Sequence, residues 1–101
     1  MKIIVLAGGL SPERQVSLVS GQNICRALRG LGHQAALVDM FLGLEDWTGP
    51  LEAIFSAPDG LCREHHIHTE EPDLQAVRRS RADPSPSLFG PRVLEACALA
   101  D

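Results

Sequence analysis

The sequence predicts an α/β fold of three layers with parallel strands, and three observations carry that expectation. A β-branched apolar run, "KIIVLA" at 2–7, ends in two glycines. A helix-like stretch follows and stops at Gly32, and a second apolar run, "QAALVD" at 34–39, comes next. Strand, glycine turn, helix, glycine stop, strand is the βαβ unit, for which a right-handed crossover is the strong default.

The first run is apolar on both faces, as a strand covered by helices on both sides must be. From about Arg14 to Leu31 the residues Val16, Val19, Ile24, Ala27, Leu28 and Leu31 fall within one stripe, expected to face the sheet. Leu18 and Cys25 lie on the opposite side. Gly32 supplies the helix stop, and His33 in the turn after it is expected to cap the helix end or face solvent. Further on, "TGPLEAIFSA" (48–57) reads as a short helix with Thr48 as cap and Pro50 in its first turn. "LCREHHIHT" (61–69) is ambiguous, with an extended form the better fit. "EEPDLQAVRRSRA" (70–82) reads as an exposed helix, acidic at its start and basic at its end. "DPSPS" (83–87) is a linker or turn. "FGPRVLEACALAD" (89–101) is expected to be a helix that packs Val93, Leu94, Cys97 and Ala100 on one side.

Composition narrows the function classes. The chain has 101 residues and a formal charge of −4, so one small domain is expected, and nucleic acid is an unsuitable partner. The three cysteines, Cys25, Cys62 and Cys97, are widely spaced and form no CxxC, and an unpaired set suits a reducing cytoplasm. "MKIIVLAGG" lacks the features of a secretion signal, and no segment reaches the roughly 20 apolar residues that cross a bilayer. A cytoplasmic protein with no membrane partner is expected.

The stretch "LAGGLSPERQVSLVSG", Leu6 to Gly21, holds the candidate site. Ligands of α/β sheets bind where strands end and helices begin. Both GxGxxG and GxxxxGK[ST] are missing, so phosphate binding has little support here. Glu13 admits two readings. In one, Ser11 caps a helix, Pro12 takes its first position and Glu13 meets the positive end of the dipole. In the other, the carboxylate accepts charge-assisted hydrogen bonds from a ligand ammonium. Arg14 reads as a solvated arginine or as a group that steers Glu13. Ser17, Ser20 and Gly21 read as slim residues for close helix–sheet packing. His66 and His68, with His65, could share a metal only if a third ligand were near, so exposed loop histidines are the simpler reading. Arg78, Arg79 and Arg81 read as a solvated helical face.

The same stretch resembles the N-terminal signature of D-alanine–D-alanine ligases, roughly GG-x-S-x-E-R-x-V-S-L-x-S-G. Gly8, Gly9, Ser11, Glu13, Arg14, Val16, Ser17, Leu18, Ser20 and Gly21 match it, and Gln15 departs from the acidic residue frequent there. "EEPDLQAVRRSR" and "LFGPRVLEACALAD" also resemble a subgroup of these ligases. The resemblance implies an ATP-grasp enzyme of bacterial peptidoglycan synthesis, hence of cell-wall biogenesis and cell shape. Such enzymes join two D-alanines through a D-alanyl phosphate with ATP and magnesium. It implies that Glu13 holds the ammonium of the first D-alanine, that Val16 lines the same pocket and that Gly8 and Gly9 give access. In the family a strand with a His-Gly motif comes directly after the position of Asp101, and the nucleotide and magnesium portions come later. The expectation is therefore a Rossmann-like three-layer domain, truncated before its third core strand, that binds neither ATP nor magnesium and has no ligase activity alone. An open strand edge at 2–7 is expected to favour self-association, by edge pairing or helix exchange, and the resemblance implies a family-like dimer as the alternative. The runner-up is a non-catalytic binding or interaction module that holds a small anion at the glycine turn.

Overall fold

A computed structural model describes residues 1–45, 47–57, 60–61, 73–82 and 87–101. Strand β1 (Lys2–Ala7), helix α1 (Arg14–Gly30) and strand β2 (Gln34–Asp39) form the βαβ unit at the expected places. The strands pair in parallel, from Lys2 opposite Gln34 to Ala7 opposite Asp39. Gly32, at φ +94°, ends α1 as a Schellman cap. Its N–H donates to the Arg29 carbonyl at 3.0 Å, and the His33 N–H donates to the Leu28 carbonyl at 3.2 Å. The end of the helix is thus closed by backbone, with His33 half-buried.

Alternation along β2 divides the core in two. Ala35 and Leu37 join Ala7, Leu18 and Cys25 on the α1 side, where Ile3, Val5 and Leu28 complete the packing. Ala36 and Val38 join Leu44, Ile54, Phe55, Val93 and Ala96 on the other side. Helix, sheet and a second helical layer make the three-layer α/β architecture.

The face that α1 buries is not the expected stripe. Leu18, Gly21, Gln22 and Cys25 are buried, whereas Val16, Ile24 and Leu31 are exposed. Gly21 decides this, because a Cβ there would lie 2.8 Å from the Ala7 Cβ and 2.9 Å from the Leu37 Cδ1. The helix backbone approaches the sheet at that point, and a side chain on the apolar stripe would hold it away. Cys25 is disulfide-bonded, which corrects the expectation of an unpaired cysteine set, while Cys97 is a free thiol. Spacing along a chain does not report which thiols meet in space.

The second layer is built from short pieces. Leu51–Ser56 is a 3-10 helix rather than an α-helix, and it buries Ile54 and Phe55. Pro50 flanks it in an extended conformation and no side chain caps it, so neither Pro50 nor Thr48 has the expected role. Helix α2 (Leu74–Ser80) is capped by Asp73, whose carboxylate accepts the Ala76 N–H at 3.0 Å, and it buries no residue. Helix α3 (Val93–Leu99) starts from Arg92 in the left-handed region and buries Val93 and Ala96. That starting point turns Leu94 outward, so Leu94 is exposed where packing was expected.

Arginines tie these pieces to the sheet through carbonyl groups. Arg81 is 6% exposed, which corrects its reading as part of a solvated run, although Arg78 and Arg79 are exposed. It donates to the Phe41 carbonyl at 3.0 Å and the Ser87 carbonyl at 2.9 Å, with its guanidinium 4.0 Å above the Phe41 ring. Arg29 donates to the carbonyls of Ala35 and Ala57. On the outer flank of β1 the Asp101 N–H donates to the Lys2 carbonyl, and the Lys2 N–H donates to the Asp101 carboxylate, both at 2.8 Å. His65, His66 and His68, Cys62, and most of the stretches at 61–69 and 83–87 lie outside the described residues. Among the described residues, no helix is long and apolar enough to cross a membrane.

Candidate functional site

The turn from β1 into α1 is set by its glycines. Gly8 and Gly9 have φ of +82° and +86°, a region that side-chain-bearing residues rarely adopt. A Cβ on Gly8 would lie 3.0 Å from the Asp39 carboxylate, and one on Gly9 2.9 Å from the Met40 Cε. Backbone conformation and the closeness of the β2 end therefore account for both glycines without a ligand.

Next, Ser11 to Arg14 closes a turn, with the Arg14 N–H donating to the Ser11 carbonyl at 3.0 Å. Proline at the second position suits such a turn. The helix consequently begins two residues later than the capping reading expected, and its first bond runs from the Ser17 N–H to the Glu13 carbonyl at 2.9 Å. Glu13 holds the cap position at φ −87°, ψ 9°, and its side chain makes no capping bond. Ser11 does not cap, and Pro12 precedes the helix.

Arg14 carries the main electrostatic feature. It is 7% exposed, and its Nη1 donates to the Gly9 carbonyl at 2.8 Å and to Asp39 Oδ1 at 3.3 Å. Its Nη2 is ion-paired with Asp39 Oδ2. Asp39 Oδ1 also accepts the N–H groups of Phe41 at 2.9 Å and Leu42 at 3.0 Å. Ser17 Oγ accepts the Gly8 N–H at 3.1 Å. Burial of Arg14 corrects its reading as a solvated arginine, and its partner is Asp39 rather than Glu13; the sequence reading gave Asp39 and Ser17 no part in the site. A usable signal was present in the acid that ends β2, since βαβ units that bind dinucleotides use such an acid for the ribose hydroxyl. Here Arg14, the first residue of α1, occupies it.

The arrangement sorts the candidate chemistries. Two anion donors at the glycine turn are engaged, Arg14 by Gly9 and Asp39 and the Gly8 N–H by Ser17 Oγ. Glu13, by contrast, is exposed, and its carboxylate makes no hydrogen bond or ion pair with any described residue. Val16, three residues on and 49% exposed, shares that side of the helix. A cavity of about 210 Å³ lies beside the β2 end, lined by Arg14, Leu18, Leu37, Asp39, Leu44 and Trp47, and its lining includes neither Glu13 nor Val16. Among the described residues, no group of three His, Cys, Asp or Glu side chains could hold a metal ion.

No family model matches the chain, and no solved structure matches it. Curated proteins do. The chain is 41% identical over 101 residues to D-alanine–D-alanine ligase of Lacticaseibacillus casei (strain BL23), a match that covers 100% of this chain and 28% of that protein. It is 39% identical over 102 residues to the enzyme of the same name from Pediococcus pentosaceus, covering 100% of this chain and 29% of that protein. A shorter match to D-alanine–D-alanine ligase of Synechococcus sp. (strain JA-3-3Ab) is 62% identical over 39 residues, covering 39% of this chain and 12% of the relative. The chain thus spans less than a third of the length of the curated relatives it matches. Over its whole length, the chain is a homologue of the N-terminal portion of D-alanine–D-alanine ligases.

Proposed function

We propose that this chain is the N-terminal, substrate-binding part of an ATP-dependent ligase that joins two D-alanines, and that Glu13 holds the ammonium of the first. The observation that carries the reading is the carboxylate itself. Glu13 sits at the start of α1, exposed, with no capping bond, while the adjacent guanidinium is paired with Asp39. A carboxylate carried on a held helix start and uncommitted to any described residue is what an amino acid's ammonium group needs for a charge-assisted hydrogen bond. Val16 lines the same side in this reading, and Gly8 and Gly9 shape the turn beneath. ATP and magnesium belong to other portions of a longer ligase, and no step through either is assigned to these residues. The Asp101 pairing beside Lys2 supports a third strand on the outer flank of β1. While that flank stays open, the chain self-associates through it. A concentration-dependent rise in sedimentation coefficient is expected, and a monomer at all concentrations would count against it.

D-alanine titrated into the 15N-labelled chain should shift amides around residues 13–17 saturably, with millimolar affinity for so small a contact. Glu13→Gln should abolish the response, and inorganic phosphate should cause none. A phosphate response with D-alanine silent would favour the anion module instead. With D-alanine and Mg-ATP, the chain alone should release no ADP above background.

A further inference from the structure

We propose that Arg14 and Asp39 are positioning residues for the ammonium site, a role that rests on the reading of Glu13 given above. Glu13 and Arg14 share a peptide unit, so whatever fixes Arg14 fixes the backbone that carries the Glu13 side chain. The Arg14 guanidinium reaches three acceptors: the Gly9 carbonyl at the end of β1 and both oxygens of Asp39 at the end of β2. Asp39 is itself held by the N–H groups of Phe41 and Leu42. The start of α1 is thereby tied to the ends of both strands at once. Without this tie, the segment from Gly8 to Glu13 contains two glycines and a turn, and it is restrained by the Gly8–Ser17 and Ser11–Arg14 bonds and, at Glu13, by the helix bond from the Ser17 N–H.

The chemistry requires arginine specifically. A planar fork meets a carbonyl and a carboxylate together, whereas a lysine ammonium is a point charge that keeps the ion pair and loses the fork. Glu13 would then remain present, with its reach toward the ligand no longer set. A site loosened by an ångström loses much of its effect even when every contacting residue remains.

The test compares Arg14→Lys with the unmodified chain in the same D-alanine titration, with amide hydrogen exchange measured in parallel. The expected result is a loss of affinity of about tenfold. Protection in β1, β2 and the middle of α1 should be unchanged, and exchange at residues 8–14 should be faster. If Arg14→Lys does not fold, the neutral double variant Arg14→Gln/Asp39→Asn replaces it, since it leaves no unpaired buried charge. Unchanged affinity in a folded variant overturns the proposal. So does a loss that merely tracks the unfolded fraction, and so does failure of both variants to fold, which would make the pair a stability element. Failure of the underlying reading looks different. In that case Glu13→Gln leaves D-alanine binding intact, or the unmodified chain gives no saturable response, and the positioning role falls with it.

Discussion

Gly90→Ala is expected to destabilise the chain by about 3 kcal/mol. A Cβ at Gly90 would lie 2.3 Å from the Phe41 carbonyl oxygen, 2.5 Å from the Gly43 nitrogen and 2.7 Å from the Leu42 carbonyl carbon. These are backbone atoms and cannot rotate away. Retreat of the segment is opposed by two hydrogen bonds across the same crossing: Gly90 N–H to the Met40 carbonyl at 2.8 Å, and Leu44 N–H to the Pro91 carbonyl at 3.0 Å. Separation of the two backbones would also undock α3 from the sheet. Calorimetry should show Tm lowered by roughly 12 °C, at about 4 °C per kcal/mol. Gly30→Ala is the control, because no atom lies within 4 Å of its Cβ position and the site is helical. That substitution should stabilise slightly. A Gly90→Ala variant that melts with the unmodified chain would refute the crossing.

Asp39→Ala should cost nearly as much. It leaves the Arg14 guanidinium buried without its counter-charge and removes the acceptor for the Phe41 and Leu42 N–H groups. Breaking a buried pair from one side typically costs 3–5 kcal/mol. The Asp39 side chain is still 17% exposed, so a value of about 3 kcal/mol is expected in urea denaturation. Arg14→Met/Asp39→Leu removes both charges together and should recover part of the loss. Equal losses in the single and double variants would show that uncompensated charge is not the cause.

How much of this was legible beforehand depends on which residues set each feature. Both strands and the Gly32 stop followed from local patterns, since β-branched runs and a left-handed glycine report on their own conformation. The packing face of α1 did not follow. Val16, Ile24 and Leu31 form the stronger apolar stripe, yet the sheet takes the side with Gly21 and Gln22, because a glycine allows closer approach than a row of branched side chains. Arg81 reads as one of three surface arginines, and only the folded path brings Phe41 beneath it. In the site, the resemblance singled out Glu13, and its exposure and lack of capping agree with a free carboxylate. The Arg14–Asp39 pair joins positions 25 residues apart, and no spacing rule connects them.

Lys2 and Asp101 exchange two hydrogen bonds, so two residues 99 positions apart lie side by side. A circular permutant needs only a short bridge between them, and new ends could be opened at an exposed tip elsewhere. An affinity tag appended after residue 101 sets out beside the Lys2 backbone groups that Asp101 engages. A reporter fused there needs a stiff polar spacer, or it will read out its own docking.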